Sequence, residues 1–147
     1  MNRLEELKEE KNLKSKEVAS ALGIAESTYS EWEHNKIPIP TRRLVELANF
    51  YKVNIDFMLK LSNIKVSITN TKELDLKLIG KNLKEIRIEL GLSLRELGDK
   101  LNTSFSSLAS YERGEHLIQS ETLINLSKMN NYSIDWILGR NKDKYIK

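Results

Sequence analysis

The apolar positions of this chain fall into helical spacing, and they do so twice. Leu4 and Leu7 share a face with Lys11, and Asn12 ends that helix. Val18, Ala19 and Leu22 form the inner side of a short helix from Glu17 to Leu22, closed by Gly23. A third helix, from about Glu26 to His34, turns Tyr29 and Trp32 inward. Pro38 and Pro40 bar a helix across the next stretch. After Thr41, Leu44, Leu47, Ala48 and Tyr51 recur at i, i+3, i+4 and i+7. Asn54 is placed to cap a fifth helix whose apolar side is Ile55, Met58 and Leu59.

Sliding the sequence against itself by 79 residues lays 4–60 on 83–139 without a gap. Identities are sparse but fall where a fold needs them. Leu4, Leu13, Leu22, Leu44, Leu47, Ile55 and Leu59 meet Leu83, Leu92, Leu101, Leu123, Leu126, Ile134 and Leu138. Asn12 faces Gly91, Gly23 faces Asn102, and Asn35 faces Gly114. Gly and Asn tolerate the left-handed conformation that closes a helix, so each substitutes for the other there. The chain is a duplicated domain.

The second copy has its own signals. Ser93 and Glu96 fit a capping box, and Leu97, Leu101, Leu108 and Tyr111 form the inner sides of its second and third helices. Ser133 caps the fifth, with Asp135 in the first turn where the helix dipole favours an anion. Leu76, Ile79, Leu83, Ile86 and Leu90 form a stripe read as core packing rather than a dimer seam. Ile64–Ile68 alternates in polarity and is read as an extended tether rather than a strand. The expected organisation is an all-α chain of two five-helix domains, 1–62 and 77–140, with a linker at 63–76 and a basic tail at 141–147.

With no Cys, disulfides and thiolate metal sites are excluded. No apolar run approaches the roughly 20 residues needed to span a bilayer, so a soluble cytoplasmic protein is expected. The net charge of +3 resides in the connectors. Residues 1–62 hold 10 basic and 10 acidic residues, and residues 80–139 hold 7 and 8; residues 63–79 add +1 and residues 140–147 add +3. Net charge is therefore a poor argument for a nucleic-acid partner.

A short helix, a Gly or Asn turn and a second helix with a buried aromatic is helix-turn-helix geometry. The steep crossing needs a small residue, supplied by Ala19 and Gly98, and a left-handed turn, supplied by Gly23 and Asn102. The stretches VASALGIAESTYSEWE (18–33) and LGDKLNTSFSSLASYE (97–112) resemble the Cro and phage-repressor (xenobiotic-response-element) type of domain. The trailing Glu33 and Glu112 and the terminal Ile-Asp-aromatic pattern agree with it. The resemblance implies a λ-repressor-like bundle that reads DNA through its third helix. It makes Glu26, Ser27, Ser30 and Glu31, and Phe105, Ser106, Ala109 and Ser110, the base-reading candidates. Phosphate candidates are Ser15 and Lys16, Leu94 and Arg95 at the second helices, with Lys36 and Arg113 beyond the third.

These surfaces are unequal. Glu26 and Glu31 place two carboxylates on the first reading face, suited to cytosine N4 but repelled by phosphate. Phe105 suits a thymine methyl or a protein partner. His34 and His116 are not at equivalent positions and are expected to be solvent-exposed, so neither a metal nor catalysis is expected. Trp32 and Trp136 are expected in the core. Glu5, Glu6, Glu9 and Glu10, interleaved with Lys8 and Lys11, read as a solvated face. Arg140, Lys142, Lys144 and Lys147 either track phosphates or fray.

The expectation is a non-enzymatic, nucleoid-associated transcriptional regulator, a repressor, without cofactor and without a membrane role. It would bind double-stranded DNA alone as a pseudo-dimer or as a homodimer, its linker of about 18 residues reaching roughly 60 Å. The alternative is an antitoxin-like or interaction protein, with one or both repeats, the second above all, binding protein or mediating dimerisation.

Overall fold

The computed structural model describes residues 1–69 and 72–147. They form two compact units, one within Met1–Asn70 and the other within Thr71–Ile146. Each unit is a five-helix bundle. The first holds α1 (Leu4–Glu10), α2 (Ser15–Leu22), α3 (Glu26–Glu33), α4 (Thr41–Tyr51) and α5 (Ile55–Met58). The second holds α6 (Leu76–Glu89), α7 (Leu94–Leu101), α8 (Phe105–Glu112), α9 (Ser120–Asn130) and α10 (Ile134–Ile137). Leu4, Tyr29, Leu44, Leu47, Ile55 and Met58 fill the first core; Ile79, Ile86, Leu123, Leu126, Tyr132 and Ile134 fill the second.

The turn chemistry repeats fully. Among the described residues, every positive φ belongs to one of five pairs separated by 79 positions. Asn12 and Gly91, Gly23 and Asn102, and Asn35 and Gly114 carry φ of 55° and 70°, 67° and 53°, and 58° and 72°. Lys52 and Asn131 form a fourth pair, Lys60 and Gly139 a fifth. Two lysines in this region are unfavourable, because a Cβ crowds the following carbonyl. A reading confined to Gly and Asn passes over them.

The segments read as tether and tail are part of the bundles. Val53 bridges Ser67, and Tyr132 bridges Tyr145. The Asn54 N–H donates to Val66 O (3.1 Å) as the Ser133 N–H donates to Lys144 O (2.8 Å). The Ile68 N–H donates to Lys52 O as the Ile146 N–H donates to Asn131 O. An extended strap thus closes each bundle, made by residues 64–68 in the first and 143–146 in the second. The strap buries Ile68 at 7% exposure, which gives the apolar alternation a purpose that a tether lacks. It also leaves residues 69–74 between the first strap and Asp75, the cap of α6.

The same ion pair latches both straps. Lys65 Nζ lies 2.8 Å from Glu10 at the end of α1, and Lys144 Nζ lies 2.6 Å from Glu89 at the end of α6 and 2.9 Å from Glu85. The hydrogen bond from Lys65 holds Glu10 below the usual carboxylate range, and bonds from Lys144 and Tyr145 do the same to Glu89. Tyr145 also stacks on Tyr132, centroids 5.6 Å apart. Arg140 pairs with Asp135 at 3.1 Å, and both side chains are buried. Two of the four cations read as a phosphate-tracking or frayed tail therefore hold the fold.

Other details differ from expectation. Asn54 occupies the N-cap of α5, but its amide donates to Ile64 O and accepts from Val66 N, fastening the strap instead of capping. Ser133 does cap α10, accepting from Trp136 N. Asp135 is fully buried rather than merely dipole-stabilised. Lys8 leaves the solvated face for an interior pair, and Trp136 is only half-buried, with Lys144 5.5 Å from its ring centroid. The α6 stripe is core as read, with Ile79, Leu83 and Ile86 buried.

Candidate nucleic-acid interface

The helix-turn-helix is built from α2 and α3 in the first unit and α7 and α8 in the second. The Ile24 N–H donates back to Ala19 O across Gly23, and the Thr103 N–H donates to Gly98 O across Asn102. Both crossings bury their small residue. At Gly98 the approach is closer, because a Cβ there would lie 2.5 Å from the Thr103 carbonyl oxygen. Only glycine fits without movement; at position 19 an alanine is accommodated.

The third helix of each unit is bolted to its first. Lys8 Nζ meets Glu33 at 2.9 Å, and Arg87 meets Glu112 with two hydrogen bonds of 2.6 and 3.0 Å. These are equivalent positions, 8 with 87 and 33 with 112. The trailing glutamate singled out in the sequence is therefore a structural anchor. Tyr29 and Trp32 on α3, and Leu108 and Tyr111 on α8, face inward. The Tyr29 and Tyr51 hydroxyls bond at 2.7 Å, and burial pushes Tyr51 up to about 12 and Tyr29 further. With its inner side fixed, a third helix offers its outer side as a rigid surface.

On α3, Glu26 and Ser27 are exposed, while Ser30 and Glu31 are half-buried. Ser30 sits beneath His34, whose Nδ1 lies 2.8 Å from Ser30 O. On α8, Phe105 is 45% exposed and Ser106 is also exposed. Ser110 is half-buried and donates to Ser107 O. Ala109 is 8% exposed, so it offers little to a ligand. The outer face of α8 is thus narrower than the sequence reading made it.

The cation candidates differ in freedom. Lys16, Lys36 and Arg95 are exposed. Arg113 is exposed but held by Glu115 through bonds of 2.8 to 3.1 Å, which raise the arginine and lower the glutamate from their ordinary values. Ser15 is half-buried and accepts from Lys8 Nζ at 3.1 Å. Leu94 is half-buried. Both second helices are capped by a glutamate: Glu17 accepts from Lys14 N, and Glu96 from Ser93 N. The backbone bond to Ser93 holds Glu96 below the usual range. Arg95 lies over Phe105, its guanidinium carbon 4.8 Å from the ring centroid.

Sequence reasoning passed over Arg42 and Arg43 at the start of α4. Arg42 is exposed, and Arg43 bonds Leu22 O and Glu46. Their signal, two arginines directly after a proline-bounded loop, was available. The second unit has Glu121 and Thr122 at these positions. Among the described residues there is no cluster of three potential metal ligands, and no helix is long and apolar enough to cross a membrane.

Comparison with known proteins agrees with both halves. A model described as "Helix-turn-helix domain" matches residues 1–64, and one described as "Helix-turn-helix" matches residues 83–137. The HTH-type transcriptional regulator ImmR of Bacillus subtilis (strain 168) is 38% identical over 64 residues, 44% of this chain and 50% of ImmR. The uncharacterised HTH-type transcriptional regulator YobD of the same organism is 35% identical over 83 residues, 56% of this chain and 66% of YobD. The chain thus spans between half and two thirds of the length of these relatives. Among solved structures, the clp gene regulator ClgR from Corynebacterium glutamicum is 28% identical, with a TM-score of 0.41, over 46% of this chain and 72% of ClgR. The chain belongs to the helix-turn-helix family of the Cro and phage-repressor type, with one such domain in each half.

Proposed function

We propose that the chain is a sequence-specific DNA-binding transcriptional regulator acting as a repressor, with α3 and α8 as the two reading helices. One observation carries this reading. In both domains the third helix is anchored on its inner side by an ion pair and aromatic or apolar packing, while exposed side chains project from its outer side. Lys16 at the first turn of α2, Lys36 beyond α3 and Arg42 at the start of α4 are exposed cations suited to phosphate. The first domain therefore supplies most of the backbone attraction.

Two linked readers raise the effective concentration of the second contact, which matters most when each is weak. The stretch between Ile68 and Asp75 extends to about 25 Å. One chain acts as a built-in pseudo-dimer, and pairing of two chains would present four domains.

Duplex affinity as a function of salt tests the reading. Three phosphate contacts, from Lys16, Lys36 and Arg42, predict roughly a 40-fold loss between 50 and 200 mM salt. Absence of binding to any duplex at low salt would overturn it. Replacing Ser27 and Ser30 together is expected to relax sequence preference with binding retained; an unchanged preference would remove α3 as a reader.

A further inference from the structure

Arg95 and Phe105 are ten residues apart, on α7 and α8, and the crossing of those helices brings them into contact. The guanidinium carbon lies 4.8 Å from the ring centroid, and both side chains are exposed. Among the described residues Arg95 makes no hydrogen bond or ion pair, so its five N–H donors are unused. The ring supports a long side chain that otherwise loses rotamer entropy on binding, and stacking leaves the edge of the guanidinium open. Phe105 occupies the first residue of α8, one of the two helices proposed above to read DNA, as third helices of this type do in the major groove.

We infer that Arg95 and Phe105 form a single composite reader of a thymine–guanine step, an inference that rests on the DNA-binding reading. Phe105 packs on the thymine methyl, and Arg95 donates two hydrogen bonds to O6 and N7 of the adjacent guanine. Arg95 is then a base reader rather than a phosphate contact. The first domain lacks this pair, since the equivalent positions hold Lys16 and Glu26. Lysine lacks the planar fork, and the carboxylate repels O6 and N7 while attracting a cytosine amine. Ala109, buried and apolar, adds no competing polar group to this part of α8.

Duplexes selected from a random pool with the full chain supply the probe. The selected motif is expected to contain a thymine–guanine step. Replacing that thymine by uracil removes only the methyl group, and replacing the guanine by 7-deazaguanine removes only N7. Wild-type protein is expected to lose about tenfold or more in affinity on the guanine change and less on the thymine change. Phe105→Ala should become indifferent to the uracil change, and Arg95→Ala to the deazaguanine change. Arg95→Lys should keep the salt slope but weaken the guanine preference. Circular dichroism of each variant checks that these surface substitutions leave the fold intact.

If Arg95→Ala instead weakens binding uniformly on all sequences and lowers the salt slope by about one, Arg95 is a phosphate contact and the inference is overturned alone. A selected motif without the step overturns it equally. If wild-type protein selects no duplex, the DNA reading falls as well, and the exposed ring is left to a protein partner.

Discussion

In the first domain the second residue of α2 is Lys16 and the first residue of α3 is Glu26; in the second domain these positions hold Arg95 and Phe105. Behind them both domains are the same object. Lys8–Glu33 and Arg87–Glu112 anchor the third helices, Glu10–Lys65 and Glu89–Lys144 latch the straps, and the left-handed turns coincide pair by pair. Even a substitution preserves its contact. Arg3 donates to Phe57 O where Asn82 donates to Trp136 O, again 79 positions apart. Interior geometry restricts both copies alike, because a buried donor without a partner costs free energy. The outer surface of a third helix carries no such restriction and is free to take on a different ligand.

Where the two interiors do differ, mutation separates them, with the largest effect at the helix crossing. Gly98→Ala forces a methyl group against the Thr103 carbonyl and is expected to destabilise the second domain by about 3 kcal/mol or more. The reverse change in the first domain, Ala19→Gly, costs only about 1 kcal/mol of helix propensity. Denaturant unfolding of the full chain should show the loss confined to one domain. Equal losses at the two sites would mean that the crossings are equally tight.

The anchoring pairs rank next. Glu33→Gln and Glu112→Gln each leave a mostly buried cation without its counter-charge, at roughly 2–4 kcal/mol. The loss should be greater for Glu112, whose carboxylate accepts two bonds from Arg87. A smaller effect on Glu112 would say that the guanidinium finds substitute partners, such as the Leu92 carbonyl it already reaches.

Asn54 and Ser133 share a position but do different work. Asn54→Ala removes two bonds to the strap, about 1–2 kcal/mol. Ser133→Ala removes a helix cap, about 1 kcal/mol. Amide exchange distinguishes them: at Ile68 it should quicken in the first variant, whereas at Ile146 it should hold in the second.

Acid gives the mildest contrast. Glu10 and Glu89 are held below the usual carboxylate range by the strap lysines. Their contribution is therefore present above the ordinary carboxylate pKa and lost as pH falls through the lowered folded value. Amide protection at Ile68 and Ile146, measured against the intrinsic exchange rate at each pH, should fall together below about pH 4, the model-peptide carboxylate range. A fall at one alone would show that the latches are not equivalent.

Much of this was legible in the sequence because helices and turns are local. Leu44, Leu47 and Ala48 announce a buried face by spacing, and Gly23 and Asn102 announce a turn by conformational tolerance. The straps were not legible, because their bonds join residues ten or more positions apart and depend on Asn54 and Val53 being in place to receive them. The stacked pair was hidden for a similar reason. Arg95 and Phe105 become one surface only once Gly98 lets two helices cross closely. Lys8 gave no sign of leaving its acidic neighbours, since its partner, Glu33, lies on another helix.

The strap also sets where the first domain ends. A chain cut after Ser62, the boundary that helix spacing alone suggests, would lose the partner of Val53, both partners of the Asn54 amide and the lysine that meets Glu10, so the shortest piece that folds as this domain runs through Ile68.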